Sequence, residues 1–279
     1  MFIIGCPRSG STLFYQSLAY AYRFAYVNNA IARYPRSGPL VARWLGAANW
    51  PIAASFTNDY GATGGRYGVS EAGAFWNLVF PWRDHHTVEP EDWPQERRDF
   101  ARRYIAEMAH VYGAPFVCKN LWHSVRLPAL NAAFPNAAFI VMQRDLLPMA
   151  QSILLRQRES EAAGRGFWSV RPRGLLDKRN LSLPEKVGWQ IVLTQKAIET
   201  ARAEIGPERF FSVPYEDFCS DPEQWLEAVG DFLNGLGIMA ERRARIDRFF
   251  DARKRGSKSD PEMDQIETVL GDGSPYVSA

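Results

Sequence analysis

The residue types that carry chemistry gather first at the start of the chain. Gly5-Cys6-Pro7-Arg8-Ser9-Gly10-Ser11-Thr12 has the Gly-x4-Gly spacing of a loop whose backbone N–H groups and following helix N-terminus converge on an anion. An enzyme of nucleoside triphosphates places lysine directly after the second glycine, to reach the β and γ phosphates, with a hydroxyl beside it for magnesium. Ser11 stands where that lysine would be. The cation is instead Arg8, inside the loop, and Ser9, Ser11 and Thr12 add hydroxyl donors, a set suited to a smaller anion held without a metal. Two more cations follow short apolar runs: Lys119 after Phe116-Val117-Cys118, and Arg144 after residues 137 to 142 and Gln143. Glu71, entering an aromatic-rich stretch, and His123, a few residues beyond Lys119, are the candidate proton acceptors. His85 and His86 are adjacent, and side chains at i and i+1 rarely converge on one ion, so no metal site is read from them.

These groups need elements that bring strand ends together. Apolar runs at residues 2 to 5, 116 to 118, 137 to 142 and 210 to 213 are separated by helical patterns, notably 96 to 112 and 186 to 205. In the latter, Val187, Ile191, Thr194, Ile198, Ala201 and Ile205 recur at helical spacing. The alternation predicts a three-layer α/β fold of the P-loop type, with a central, mostly parallel sheet flanked by helices. Open α/β sheets bind ligands at the carboxyl edge, where the Gly5–Gly10 loop, Lys119 and Arg144 all fall. Two stretches break the rhythm. Residues 33 to 95 are rich in Gly, Pro and aromatics and hold Trp44, Trp50, Trp76, Trp82 and Trp93, which serve either as packing or as an acceptor-binding wall. Residues 156 to 183 form the other; seven cations stand against three acids over 156 to 179, read either as a solvated loop or as a mobile basic lid.

Composition narrows the classes. A chain of 279 residues, 46% hydrophobic and 23% charged, is neither disordered nor a small disulfide scaffold, and is expected to fold as one domain over 1–279. A formal net charge of +2 gives no argument for nucleic-acid binding. Cys6, Cys118 and Cys219 are far apart and form neither a disulfide framework nor a zinc motif, which fits a reducing cytoplasm. The first residues lack a basic region and a long apolar core, so no secretion signal is read, and no run is apolar for long enough to predict a membrane span.

With those residues in view, the chain resembles the sulfotransferases that use 3′-phosphoadenosine 5′-phosphosulfate (PAPS), bacterial members above all. Phe2 to Thr12 are similar to the family's 5′-phosphosulfate loop: an apolar strand, then Pro7, Arg8, Ser9, Gly10 and the hydroxyls Ser11 and Thr12. The second signature, an Arg-Asp after a later strand and a Ser eight residues beyond the Arg, is matched by Arg144-Asp145 and Ser152, which the resemblance assigns to the 3′-phosphate. Lys119-Asn120-Leu121-Trp122-His123 resembles a Lys-x-Pro-x-His segment, with Leu121 in place of the proline. Pro214-Tyr215-Glu216-Asp217-Phe218 with Asp221-Pro222 looks like an architectural Tyr-Glu-Asp-Leu element, and Arg253-Lys254-Arg255-Gly256 is similar to a nucleotide-closing Arg-Lys-Gly stretch.

The resemblance implies PAPS as co-substrate, adenosine 3′,5′-bisphosphate as product, no metal, and a small-molecule or carbohydrate hydroxyl as acceptor. It implies Arg8 and Lys119 as the cations around the phosphate, the bridging oxygen and the moving sulfonate, and either Glu71 or His123 as the base. Two other readings of the same loop are a P-loop nucleotide kinase and a catalytically silent nucleotide-binding module. Ser11 in the lysine position disfavours the kinase.

Overall fold

Each apolar run becomes a parallel strand, and the helical patterns between them become the connections that parallel pairing requires. The computed structural model describes residues 1–47, 56–57, 61–178, 180–252 and 261–273. Along the chain lie β1 (Phe2–Gly5), α1 (Ser11–Ala21), α2 (Gly38–Trp44), α3 (Gly73–Val79) and α4 (Gln95–Tyr112). After them come β2 (Cys118–Lys119), α5 (Leu127–Ala133), β3 (Phe139–Gln143), α6 (Leu146–Ala162) and α7 (Leu183–Ile205). The remainder comprises β4 (Phe210–Pro214), α8 (Tyr215–Ser220), α9 (Pro222–Gly235) and α10 (Pro261–Gly273).

The sheet has the order β2-β1-β3-β4 among the described residues, and every pairing is parallel. β1 is central, with Ile3 opposite Lys119 on one side and Ile140 on the other. All strands therefore end at the same edge, which carries the Gly5–Gly10 loop, Lys119 and Arg144 side by side. The sheet is fully clothed, as its uninterrupted apolar strands require: Ile3, Ile4, Phe139 and Ile140 are all buried. β2 begins two residues later than its apolar run, because Phe116 bridges to Ala25 and Val117 donates to Ala25 O before the chain joins β1.

Caps explain the helix limits. Ser182 accepts a hydrogen bond from Glu185 N while the Glu185 carboxylate accepts from Ser182 N, a reciprocal box that starts α7 with Pro184 in its first turn. α4 ends at Gly113 in the left-handed conformation. A second apolar cluster, with Cys6, Met149, Ile153, Ile191 and Ile266, ties α6, α7 and α10 together behind the phosphate-type loop.

One expectation is corrected. The stretch 156–183 is not a loop from its first residue, because α6 runs on to Ala162. No glycine or proline intervenes before Gly164, and Arg156 pairs with Glu159 one turn along. The buried Gln157 clasps the returning chain, donating to Trp168 O and accepting from Trp168 N. Gly164 and Gly166, both at positive φ, then turn the chain out of the helix. Within 33–95 the residues take different places. Trp76 and Trp93 are core, Trp44 and Trp82 face solvent, and Phe56 and Glu71 reach the cleft described next. Trp50 lies outside the described residues.

Candidate active site

The carboxyl edge of the sheet opens into a cleft of about 670 Å³. Arg8, Gly10, Ser11, Thr12, Glu71, Lys119, Arg144 and Ser152 all line it, so residues from the loop after β1, α1, the 61–72 stretch, β2, the turn after β3 and α6 converge on one space. Pro7 and Ser9 belong to the loop but are not among the lining residues. Ser9 is buried, and its hydroxyl lies under the turn beside Gly5. Arg253 and Lys254 lie outside the described residues.

The loop is shaped by two left-handed residues. Arg8 has φ 66, which costs a non-glycine residue roughly 1–2 kcal/mol, and it is held there by Arg144, whose Nη1 donates to Arg8 O at 2.7 Å. Gly10, at φ 84, precedes α1 with no side-chain cap, so the first-turn amides of Ser11 and Thr12 start a helix at the cleft with no side chain occupying them. A Cβ on Gly10 would sit 2.0 Å from the Tyr215 ring, so only glycine fits between the loop and α8.

Three cations face the cleft, each with a fixed purchase. Arg8 Nε donates to Ser152 Oγ at 2.9 Å. Arg144 lies over the Tyr215 ring at 4.6 Å, with its Nε 3.7 Å from Glu216 Oε1. Lys119 is 2% exposed, donates to Thr12 Oγ1 at 3.1 Å, and forms a close ion pair with the half-buried Glu71. Gly61 faces the same group: a Cβ there would lie 2.8 Å from Glu71 Oε1 and 3.7 Å from Lys119 Nζ. Asn120 steadies Glu71 by donating from Nδ2 to its carbonyl at 3.2 Å. The two phosphate-type corners, one at Arg8 and one at Arg144 and Ser152, are thus stitched together by direct hydrogen bonds.

His123 is placed elsewhere. It is 0% exposed, packed edge-on against Trp76 at 4.3 Å and Phe2 at 5.5 Å, with neither ring nitrogen hydrogen-bonded among the described residues. The turn that carries it is a 3-10 helix, Leu121–Val125, which Asn120 caps by accepting from Trp122 N. That cap sets the path without the proline that Leu121 replaces. Trp122, from the same turn, lines the cleft and stacks on His86 at 4.3 Å. His86 in turn accepts at Nδ1 from Arg171 N at 2.8 Å, joining the 82–87 stretch to the basic segment.

Burial holds both imidazoles neutral: His123 is driven well below the ordinary histidine value, and His86 down to about 3, chiefly by desolvation and then by neighbouring Arg126. The unfolded chain takes up these protons near pH ~6.5 and the folded chain does not, so their contribution to stability is complete above that pH and is lost as pH falls toward the folded values. The thermal midpoint is expected to drop on acidification below about pH 6.5, and His123→Leu to remove part of that slope. An identical slope in His123→Leu would show the ring to be solvated.

Sequence reasoning missed Gly61, Asn120, Trp122 and Tyr215 as parts of the site. Tyr215 was legible only as architecture, yet its ring contacts both Gly10 and Arg144. Among the described residues no group of three His, Cys, Asp or Glu is placed to hold a metal ion, and no helix is long and apolar enough to cross a membrane.

Comparison with known proteins bears on this geometry. Residues 1–236 match a sequence profile described as the sulfotransferase family. The omega-hydroxy-beta-dihydromenaquinone-9 sulfotransferase Stf3 of Mycobacterium bovis and that of Mycobacterium tuberculosis are each 27% identical over 135 residues, 48% of this chain and 32% of theirs. The match thus spans about a third of those relatives' length. Sulfotransferase STF9 from Mycobacterium avium shares the fold, with a TM-score of 0.57 at 16% identity over 98% of this chain and 67% of that one.

Proposed function

This chain belongs to the sulfotransferase family, and we propose that it transfers a sulfuryl group from PAPS to a hydroxyl acceptor, in line and without a metal, as a single α/β domain over 1–279. The observation that carries the reading is the convergence of Arg8, Lys119, Arg144, Ser152 and Glu71 on one cleft, with the two phosphate-type corners hydrogen-bonded to each other. A ligand with phosphate groups at both ends of one nucleoside is the anion such a pair of corners fits. The unpaired, buried cysteines are consistent with a reducing cytoplasm. The relatives' printed substrate carries a hydroxyl, which supports the acceptor class.

In this reading the Gly10, Ser11 and Thr12 amides and hydroxyls and the Arg8 guanidinium hold the 5′-phosphosulfate, while Arg144 and Ser152 take the 3′-phosphate. Pro7 and Ser9 set the loop's path. The acceptor oxygen attacks sulfur as the bond from sulfur to the phosphate oxygen breaks. Lys119 and Arg8 balance the charge that grows on the leaving oxygen, and positioning with charge neutralisation supplies the catalysis. Glu71 takes the acceptor proton. In the resting cleft its carboxylate is committed to Lys119. Anionic oxygens arriving at Lys119 compete for that ammonium and free Glu71 to act as base, so donor binding arms the acceptor side. Glu71 rather than His123 fills this role because a base must reach the proton it accepts.

Arg144→Ala is expected to weaken adenosine 3′,5′-bisphosphate by about 10- to 100-fold, the worth of charge-assisted bonds lost at one end of the ligand, measured by calorimetry. An unchanged affinity would remove the 3′-phosphate assignment. Transfer of labelled sulfate from PAPS to a panel of carbohydrate, phenolic, lipid and peptidic hydroxyls tests the activity itself. Phosphoryl transfer from ATP with magnesium in place of sulfuryl transfer would overturn it, as would PAPS binding without turnover on any acceptor.

A further inference from the structure

Away from the cleft, α2 and its lead-in present an apolar surface to solvent. Trp44 is 85% exposed, Leu40 66% and Tyr34 52%. Large apolar side chains placed together in solvent mark an interaction surface. Beside them Tyr34, Val41, Trp44 and Leu45 line a groove of about 890 Å³ whose other walls include Arg33 and Arg66.

The charge around this patch is net positive. Over residues 33–66 the sequence carries Arg33, Arg36, Arg43 and Arg66 against the single acid Asp59, and no Asp or Glu occurs in residues 1–58. All four arginines are exposed, and among the described residues none of them pairs with a carboxylate. The helix packed against α2, α4, carries four arginines and three acids and so does not reverse the sign.

We propose that this face docks on an anionic lipid bilayer. Trp44, Tyr34 and Leu40 enter the boundary between headgroups and acyl chains, where amphipathic aromatic rings are favoured, and the arginines meet the lipid phosphates. Neither part is sufficient alone. The apolar area is small for stable anchoring, and four cations without an apolar wedge hold a protein only loosely, but two weak signals together give reversible attachment. The charge pattern selects this occupant: a second copy would bring four more arginines against the same four, and its repulsion would oppose pairing.

The test is co-sedimentation of the full chain with vesicles of phosphatidylcholine alone and of phosphatidylcholine mixed with phosphatidylglycerol. Binding is expected only to the mixed vesicles, weakening as salt is added. Leu40→Ser/Trp44→Ser is expected to weaken it about tenfold, and Arg33→Glu/Arg43→Glu by more, at about fivefold for each arginine contribution lost. Both pairs are solvent-facing, so an unchanged thermal midpoint separates loss of the surface from loss of the fold. Failure to bind the mixed vesicles, or binding that the Leu40→Ser/Trp44→Ser variant leaves intact, would overturn the proposal. So would a dimer that the same variant dissociates with no lipid binding in either protein.

Discussion

Lys119→Met is expected to lower kcat for sulfuryl transfer by about 10²- to 10³-fold while changing PAPS affinity far less. The asymmetry follows from where the ammonium sits. Lys119 projects from the end of β2 into the cleft beside Thr12, on the Glu71 side, with β1 lying between its strand and β3, which leads into Arg144. Its charge matters most as the leaving oxygen becomes an anion, which begins in the transition state and is absent from bound PAPS, where that oxygen still bridges to sulfur. Methionine fills the buried stem's space, so lost packing is a minor part of the change. Single-turnover rates with PAPS beside calorimetry with PAPS in the absence of acceptor separate the two effects. A variant that loses both in equal proportion would make Lys119 a binding residue only.

Glu71→Gln is the second large effect, about 10²- to 10⁴-fold in kcat, the usual contribution of a positioned general base. Glutamine retains an oxygen to accept from Lys119, which keeps the buried ammonium from being left without a partner. Nucleotide affinity should therefore be preserved. The control is His123→Leu, which alters acid stability but is expected to leave kcat near the wild-type value. Full turnover in Glu71→Gln with loss in His123→Leu would transfer the role to the imidazole and require the Phe2–Trp76 pocket to open.

Much of this site is written in short local patterns. The Gly5–Thr12 loop, Lys119, and Arg144 with Ser152 each sit within a few residues of a strand end, so strand, turn and helix signals that span a dozen residues place them on one edge. What local pattern does not carry is the direction of a side chain inside a turn. His123 and Lys119 are four residues apart, yet one ring is swallowed by Phe2, Trp76 and Phe80 from distant segments while the other side chain reaches the cleft. Gly61, and the place of Tyr215 in the site, were illegible for the same reason. Their contacts to Glu71 and to Gly10 join stretches that only the finished fold brings together. The basic stretch after residue 156 misled by composition: charges suggested a loop, but buried Leu154, Gln157 and Ser160 keep helical spacing on the hidden side of α6.

The measurement closest to the centre compares three ligands on the wild-type chain and on Arg144→Ala by calorimetry: adenosine 3′,5′-bisphosphate, adenosine 5′-monophosphate, and ATP with magnesium. If the Arg8 loop and the Arg144 corner grip one nucleotide by its two phosphate groups, the bisphosphate binds wild type about 10- to 100-fold more tightly than the monophosphate, and Arg144→Ala erases most of that gap. Equal affinity for the bisphosphate and the monophosphate, or a preference for ATP with magnesium, would contradict it.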